Sequence, residues 1–581
     1  RGEVIIKCFF DVIAAMPIAK LFLLPPGLSK HRSAIVFWLA ASLLFAAFCG
    51  FLGLQEAFRE EYVVQDDARQ HVFWMLRFLD GELFPNDLIA DYFQSVAPPG
   101  YTAIYWLMAK LGVNPFLVNK FLPILLGLIA TGYCFGIVWQ IFPVPLAGFF
   151  ASMLLNQSLW MKDDLVSATP RAFVYPIFLG FLYYLLKSRI TASLIAIALL
   201  GLFYPQYVLV SAGLLIIRLF FHKQDYFLSG LGLVVAGAIV SYYALTASDF
   251  APVISPELAK TLPEFWEEGR SAFFQDNLWS FYLLGTRSGF LHVGLVNPPT
   301  LCFWLFLAIA WKFPNRFPLI KQITPKIALL WELLLVGTGL FILAHLLLFK
   351  LHLPSRYTEH TLRIVVAIAA GIALTIIFTA VSKLCQRQIR QNSQVNTRQW
   401  LILAVTFAIA AAIVLYPLWE ERFPVTKYKI GHQPQLYEFF QQQPKDILIA
   451  STSQEVNNLP SFSQRSILVG REYAIPYHLG YYNQFRQRII DLIQAQYSPD
   501  VTAVNQFIDK YQISFWLLDR DAFSLEYLEN EWIEQYPSAT TQALANLAAG
   551  KTPVLATISD ICIVFETEEL FVMEAECILD R

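Results

Sequence analysis

Eleven long apolar segments divide the first 420 residues and restrict this part of the chain to a bundle of membrane-spanning helices. The segments lie near 34–54, 118–142, 144–160, 172–187, 190–204, 205–221, 226–247, 290–311, 327–349, 363–383 and 399–419. About twenty helical residues cross the roughly 30 Å of a bilayer's hydrocarbon core. Two segments, 172–187 and 190–204, are short, and Tyr204-Pro205 is compatible with a kink or a hairpin at the membrane face. We therefore expect a polytopic α-helical membrane protein with about eleven transmembrane helices.

Composition supports this fold class and excludes others. The 581 residues are 56% hydrophobic and 15% charged, whereas soluble proteins carry about 25% charged residues. The net charge of -2 argues against nucleic acid as a partner. The seven cysteines contain no CxxC pair, so the sequence predicts neither a zinc site nor a disulfide framework. Cys562 and Cys577 fall outside the membrane region, and we expect them to be two buried free thiols, with a disulfide as the alternative.

Loop charge predicts the orientation. With a cytoplasmic N-terminus, the inner loops hold Lys187, Arg189, Arg218, Lys223, Lys312, Arg316, Lys321, Lys326, Lys383, Arg387, Arg390 and Arg398. The loops 312–326 and 384–398 contain no acidic residue. Because Lys and Arg accumulate on the cytoplasmic side, we expect a multi-pass protein of the plasma (inner) membrane. An odd number of spans then places the C-terminal region outside the cytoplasm.

The regions around the spans have distinct predictions. Residues 1–33 contain an apolar stretch too short to cross the bilayer, and we interpret it as a helix on the cytoplasmic membrane surface. Residues 34–420 form the transmembrane domain, with a large first outer loop at 55–117. Within that loop, Tyr101–Leu111 is predicted to be a helix along the interface, because Tyr and Trp favour that position.

After residue 420 polar residues become common, and short apolar runs alternate with helical patterns. Strands are predicted at Asp446–Ala450, Ser466–Val469, Ser514–Leu518, Pro553–Ile558, Cys562–Phe565 and Leu570–Met573. Helices are predicted at Gln435–Gln442, Tyr481–Gln496, Val501–Tyr511 and Leu525–Tyr536. This alternation favours an extracytoplasmic α/β domain with a mixed sheet over 421–581. The domain lacks nucleotide-binding glycine motifs, so we expect it to recognise substrate or to act as a scaffold.

Acidic pairs mark the outer loops. Asp66-Asp67, followed by His71, lies in the first outer loop. Acidic residues are costly to desolvate at a membrane face, so we interpret this pair as functional, with a solvated loop as the alternative. His71 fits a ligand, an acid or a polar contact equally well. The second outer loop contains Asp163-Asp164, which suits either a helix cap or a functional site.

Basic residues accompany these acids. Arg356, His360 and Arg363 stand at i, i+4 and i+7, on one face of a helix. Three potential cations on one face suit a phosphate or pyrophosphate, although such residues also anchor helix ends to lipid headgroups. The loop 248–289 adds further charges, among them Arg270 and Arg287.

These features resemble the GT-C superfamily of membrane glycosyltransferases. The run Asp66-Asp67-Ala68 is similar to the acidic motif of the mannosyltransferase-like and arabinosyltransferase-like branches, and Gly100-Tyr101-Thr102 is similar to the element that follows it. Arg69-Gln70 departs from the family, which often has an aromatic residue there. The similarity in architecture covers roughly residues 34–420, and the C-terminal domain has no such likeness.

The resemblance implies an inverting enzyme that passes a sugar from a polyprenyl-phosphate donor to a glycan, lipid or protein acceptor. Asp66 or Asp67 would be the general base. Arg356, His360 and Arg363 would bind the phosphate, with His71 and Arg171 as further candidates. A divalent Mg²⁺ or Mn²⁺ ion between Asp67, Asp163 and Asp164 is an additional hypothesis that spacing does not decide. Two alternatives stay open: a transporter or flippase for lipid-linked sugar, and a catalytically silent scaffold of the same fold.

Overall fold

The chain folds into a large helical part followed by a smaller part built on a mixed sheet. The computed structural model describes residues 32–246, 248–267, 269–291, 298–391, 397–529 and 531–581. The predicted interfacial helix within residues 1–33 lies outside the described residues, which begin at Arg32.

The helical part contains a helix in each of the eleven predicted spans. The helices are α1 (Arg32–Ala57), α2 (Ala68–His71), α3 (Leu88–Ser95), α4 (Pro99–Lys110), α5 (Pro115–Ile141), α6 (Pro145–Trp160), α7 (Val174–Leu186), α8 (Ile190–Phe203), α9 (Gln206–Phe221), α10 (Tyr226–Leu245), α11 (Pro256–Ala259), α12 (Phe306–Lys312), α13 (Ala328–Leu346), α14 (Ser355–Gln391) and α15 (Thr397–Leu415). Among the described residues, five helical segments are long and apolar enough to cross a membrane, and they contain α1, α5, α10, α13 and α14. The chain is therefore a multi-pass membrane protein, and the number of eleven crossings stays a prediction.

Two predicted spans differ in the structure. The segment 290–311 does not form one continuous helix over its described residues, because a 3₁₀ helix at Pro299–Leu305 precedes α12. The 3₁₀ helix begins at Pro299, a position where the missing N–H of proline costs no hydrogen bond. The second difference is α14, which begins at Ser355 rather than near 363. The helix therefore includes Arg356, His360 and Arg363, the three residues predicted to bind phosphate.

Helix α14 lies at the centre of the bundle. Most of its apolar stretch is buried, and it packs against α6 and α13. At Gly371 the two backbones of α14 and α6 approach so closely that a Cβ would lie 2.4 Å from the Ala151 amide nitrogen. This close approach fixes the position of α14 along the axis of α6. It therefore also fixes where the charged N-terminal turns of α14 lie relative to the end of α6.

The predicted inner loops up to residue 326 share one face of the bundle. Thr324 donates from its backbone nitrogen to the Ile141 carbonyl at 2.8 Å, and its hydroxyl donates to the Gln140 carbonyl at 2.9 Å. On the same face Ser188 donates to Asp225 at 2.6 Å. The acidic outer loops lie at the opposite helix ends, so the alternation of loops along the sequence is reproduced.

The first outer loop is tied to a strand that follows the last apolar helix. β1 (Val63–Gln65) pairs in antiparallel register with β2 (Tyr428–Ile430). The loop also contains a 3₁₀ helix at Phe73–Phe78, and α4 confirms the helix predicted at Tyr101–Leu111. Asn114 caps α5 through its side chain at 2.8 Å, which ends the loop.

The C-terminal part contains the predicted mixed sheet. Its elements are α16 (Pro434–Gln441), β3 (Leu448–Ala450), α17 (Leu459–Phe462), β4 (Ser466–Ile467), α18 (Leu479–Gln496), α19 (Val501–Tyr511), β5 (Phe515–Asp519), α20 (Leu525–Leu528), α21 (Glu531–Glu534), α22 (Pro537–Ala548), α23 (Val554–Cys562), β6 (Ile563–Glu566), β7 (Leu570–Glu574) and α24 (Ala575–Leu579). The strand order is β4-β3-β5-β7-β6. Strand β3 is parallel to β4 and β5, whereas β7 is antiparallel to β5 and β6. Trp516 on β5 is fully buried in the core beneath.

Three predictions for this part were wrong. The strand predicted at Pro553–Ile558 is helix α23, whose buried residues Leu555 and Cys562 lie two helical turns apart on one face. The helix predicted at 525–536 is broken into α20 and α21, and Pro537 then starts α22, a position that proline favours. Cys562 and Cys577 form a disulfide, because the hairpin of β6 and β7 returns the second cysteine to the end of α23.

The disulfide and the shared face of the basic loops allow a test of orientation. In a background without the cysteines outside the Cys562–Cys577 disulfide, Thr552→Cys on the C-terminal part should react with an impermeant maleimide in intact cells. The matched control Lys321→Cys, on the exposed loop of the opposite face, should react only after permeabilisation. The opposite pattern of labelling would invert the predicted orientation.

Candidate active site

Carboxylates from the first and second outer loops meet around one arginine. Arg171 follows α6 in the chain, at the start of the 3₁₀ turn before α7. Its Nη2 contacts Oδ2 of Asp67 and lies 2.8 Å from Oδ2 of Asp163. Its Nη1 lies 3.5 Å from Oδ1 of Asp164, and Lys427 lies 3.3 Å from Asp163. The structure thus brings together the acidic residues predicted from both loops.

A second group of ion pairs joins this cluster to α14. Asp164 accepts from Nη1 of Arg363 at 2.9 Å. Glu359, one turn earlier on α14, contacts Lys162 and lies 3.6 Å from Arg363. It also lies 3.0 Å from Arg356. Asp164, Glu359 and Arg363 are almost completely buried, so their charges depend on one another for compensation.

The three residues predicted to bind phosphate, Arg356, His360 and Arg363, all lie on α14 but differ in solvent exposure. His360 is buried, with Nδ1 2.7 Å from the Tyr175 hydroxyl. Arg363 is buried and contacts the same hydroxyl. Arg356 retains 16% side-chain exposure, and it lies within electrostatic range of Arg171. Arg356 is therefore the one of the three best placed to reach a bound anion.

Neither acidic pair is explained by helix capping. Asp67 precedes α2, but its side chain makes no capping hydrogen bond. The two helical segments that follow Asp163 and Asp164 begin after Thr169 and Phe173, and neither has a side-chain cap. The side chains of Asp163 and Asp164 bind basic residues instead. The structure therefore favours a role in the charged cluster over the capping alternative.

A carboxylate from the C-terminal part binds the same arginine as Asp66. Glu472 lies 3.0 Å from Arg69 and contacts Arg270. Arg69 in turn contacts Asp66, and Gln70 donates to Glu472 at 2.5 Å. Three regions that are far apart in sequence thus share one buried carboxylate.

The C-terminal part supplies two further charges to the site. Lys427 reaches Asp163, and its carbonyl accepts from the Asp66 amide at 3.2 Å. Lys429 on β2 lies 3.9 Å from Asp66. Lys427, Lys429 and Glu472 were not predicted from the sequence, because isolated charges in a polar region resemble ordinary surface residues. The pairing of β1 with β2 was the missing information.

Electrostatics keep the central acids ionised. Burial opposes ionisation of Asp67, but the surrounding cations, chiefly Arg171, outweigh it and lower its pKa. Burial likewise opposes ionisation of Asp164, yet Lys162, Arg171 and Arg363 hold its pKa well below its ordinary value. Burial lowers the pKa of His71 to about 4, and Arg171 adds to the effect. At neutral pH, His71 can therefore donate a hydrogen bond but brings no charge.

The predicted divalent metal does not fit this arrangement. Among the residues that the structure describes, no group of three or more His, Cys, Asp or Glu side chains is suited to hold a metal ion. The oxygens of Asp67 and Asp163 that face each other both bind the guanidinium of Arg171. We therefore derive no catalytic step through a metal.

Comparisons with known proteins show that the fold of this chain is similar to that of a solved archaeal oligosaccharyltransferase. The oligosaccharyltransferase of Archaeoglobus fulgidus, tethered to an acceptor peptide containing the NVT sequon, has a TM-score of 0.51 and 11% sequence identity over 87% of this chain and 72% of its own. The same protein, AglB, in complex with an inhibitory peptide and a dolichol-phosphate gives the same values. ArnT from Cupriavidus metallidurans, bound to undecaprenyl phosphate, has a TM-score of 0.48 and 14% identity, covering 94% of this chain and 98% of that one.

Comparison at the level of sequence gives no relative. No family model matches the chain, and no curated protein matches it. The similarity thus lies in the fold, and the function has to be argued from the site.

The position of Glu472 generates a stability prediction. Glu472→Gln removes the buried charge that compensates Arg69 and Arg270, and losing one partner of a buried ion pair costs about 3–5 kcal/mol. Thermal unfolding of the purified protein in detergent should show a clearly lower midpoint. Glu56→Gln is the matched control, since its pair with Arg59 is exposed and 3.8 Å long. Equal midpoints for the two variants would contradict a buried structural role for Glu472.

Proposed function

We propose that this chain is a membrane glycosyltransferase that moves a sugar from a polyprenyl-phosphate donor to an acceptor at the extracytoplasmic face, with inversion. The observation that carries the proposal is the partly exposed carboxylate of Asp67, held beside Arg171, which itself lies within electrostatic range of Arg356, on a GT-C fold. In this proposal residues 34–420 form the catalytic membrane domain, and 421–581 form an extracytoplasmic domain that completes the site. The Cys562–Cys577 disulfide supports this placement, because disulfides persist in oxidising compartments.

Accessibility separates the candidate bases. The side chains of Asp66 and Asp67 are 22% and 24% exposed, whereas those of Asp163 and Asp164 are 3% and 0% exposed. A general base has to approach the acceptor within hydrogen-bond distance, which the two buried acids do not allow. Asp66 pairs with Arg69 and Lys429 and has no described pair with α14 or its neighbours, whereas Asp67 pairs with Arg171, which lies within electrostatic range of Arg356 on α14. We therefore assign the base to Asp67, whose lowered pKa keeps it ionised at neutral pH.

The proposed step is a single displacement at the anomeric carbon. Asp67 accepts the proton of the acceptor hydroxyl or amide while the acceptor atom forms its bond to the sugar. The bond from the anomeric carbon to the phosphate oxygen breaks, and its electron pair leaves with the polyprenyl phosphate. Attack from the face opposite the leaving group inverts the configuration. Cations near the leaving oxygen stabilise the charge that develops there.

Arg356 and Arg287 are the side chains that we assign to the leaving phosphate. Arg287 donates to the Tyr477 hydroxyl at 2.8 Å and to the Arg270 carbonyl at 3.2 Å, and both of these partners are uncharged. It lies beside the N-terminus of α14, since its carbonyl accepts from the Ser355 amide at 3.2 Å. Burial lowers the pKa of His352 to about 3, and the charges of Arg356 and Arg287 add to the effect, so His352 is uncharged at neutral pH beside these two arginines. His360 and Arg363 are buried and contact Tyr175 and Asp164, so we assign them a role in holding the cluster together.

The transporter alternative is less well supported. Transporters bring ionisable groups to the bilayer midplane, at interrupted helices. The described charges of the candidate site lie instead at the outer helix ends, and Arg356 and Arg363 belong to the first turns of α14. The silent-scaffold alternative is decided by activity.

Substitution of Asp67 tests the assignment of the base. Asp67→Asn keeps the shape and removes the charge, and loss of a general base lowers the rate by about 10²–10⁴-fold. Transfer should be measured in membranes with a panel of polyprenyl-phosphate-linked hexoses and pentoses. Asp66→Asn should have a smaller effect, and Asp80→Asn, the same change elsewhere in the first outer loop, should have none. Full transfer by the Asp66→Asn, Asp67→Asn double variant would place the base elsewhere. Movement of lipid-linked sugar across a bilayer without transfer would establish the transporter.

Substitution of Arg356 tests the phosphate contact. Arg356→Ala should weaken binding of a short-chain polyprenyl phosphate by about 1.5–3 kcal/mol, the range for hydrogen bonds to charged groups. Arg356→Lys should restore only part of the affinity, because an ammonium lacks the planar fork of guanidinium. Arg520→Ala is the matched control, since Arg520 contacts Glu566 and Thr567 of the C-terminal sheet. Equal affinities for Arg356→Ala and Arg520→Ala would exclude Arg356 from the phosphate site.

A further inference from the structure

One nitrogen atom of Arg171 occupies the position between the two loops where a bridging ion would bind. Nη2 contacts Oδ2 of both Asp67 and Asp163. A divalent ion bound to oxygen ligands lies about 2.0–2.6 Å from them. An ion that bridged these two oxygens would therefore overlap Nη2. The guanidinium and a metal exclude each other at this position.

The anchoring of Arg171 keeps the guanidinium in place. Its Nε lies 3.5 Å from the Ser167 hydroxyl, and its Nη1 lies 3.5 Å from Asp164. The side chain is 16% exposed. A planar group with several fixed donors matches carboxylates from different loops better than a flexible ammonium does.

The charge balance of the site also argues against a resident metal. The ion pairs connected to Arg171 contain four carboxylates, from Asp67, Asp163, Asp164 and Glu359. They contain five cationic side chains, from Lys162, Arg171, Arg356, Arg363 and Lys427. The described cluster thus has a surplus of one positive charge before any ligand binds. This surplus suits an anionic phosphate, and a divalent cation would raise it to three.

We infer that Arg171 is the resident cation of the Asp67, Asp163 and Asp164 site, so that the chain binds no divalent metal there and its chemistry requires none. The guanidinium holds the two outer loops together and keeps Asp67 ionised. Two buried oxygens, Oδ1 of Asp163 and Oδ1 of Asp164, have no hydrogen-bond partner. Without the guanidinium, three carboxylates would face one another across a vacated space. Removal of Arg171 should therefore create a site for a divalent cation.

Binding of Mn²⁺ to the purified full-length protein tests this inference without donor or acceptor. Electron paramagnetic resonance of free Mn²⁺ should show no stoichiometric binding by the wild-type protein. Arg171→Met should bind Mn²⁺ at least about tenfold more tightly, which corresponds to about 1.4 kcal/mol. The double variant Arg171→Met, Asp163→Asn should lose this gain. Arg270→Met is the matched control, since it removes an arginine from the neighbouring Glu472 group and should bind no Mn²⁺.

Two results would overturn the inference. One is stoichiometric Mn²⁺ binding by the wild-type protein that is lost in Asp67→Asn, a measurement that does not depend on the folding of any Arg171 variant. The other is a folded Arg171→Met protein that binds no more Mn²⁺ than the wild type.

The catalytic consequence rests on the proposed function and has a separate readout. Sugar transfer by the wild-type protein should be unchanged when EDTA is added, and loss of transfer that Mg²⁺ or Mn²⁺ restores would refute metal independence. Absence of transfer under every condition would refute the proposed function, while the Mn²⁺ titrations would still decide the role of Arg171.

Discussion

Compensation of buried charge is the constraint on which the site depends. Asp164, Glu359 and Arg363 have almost no contact with solvent, and an unpaired charge in such a place costs several kcal/mol. Each of these charges is therefore met by one from another segment. Since Arg363 is fixed on α14 and Asp164 follows α6, the ion pair sets how the two helices align at their outer ends. The close approach at Gly371 sets the same alignment from within the bundle.

The same constraint makes the C-terminal part a component of the site. Glu472 neutralises Arg69 and Arg270, which come from two different outer loops. Lys427, directly before β2, reaches Asp163, and Lys429, the middle residue of β2, reaches Asp66. Without these contacts Arg69 would form an ion pair only with Asp66, and strand β1 of the first outer loop would lose its pairing with β2. The C-terminal part therefore stabilises the geometry of the acids as well as covering them.

The sequence allowed prediction of the helical bundle, the mixed sheet and most of the charged site residues. Apolar length and the distribution of charge between loops are local properties, and so is the i, i+4, i+7 spacing of Arg356, His360 and Arg363. The pairing of those charges is not local. Nothing in the neighbourhood of Asp67 indicates that Arg171, a hundred residues later, binds it. The strand predicted at 553–558 failed for a related reason, since a short apolar run fits a strand or a helix until its tertiary contacts are known.

The pairing of β1 with β2 has a consequence for biosynthesis. Gln65 donates to the carbonyl of Thr426, a partner 361 residues later in the chain. At about 5–20 residues per second, the ribosome needs roughly 20–70 seconds to make the intervening chain. During that interval the backbone groups of β1 have no strand partner, and Asp66 lacks Lys429. The nascent first outer loop is therefore an open strand edge bearing uncompensated acids, and a chaperone that shields such edges would act on this protein before its last helix is inserted.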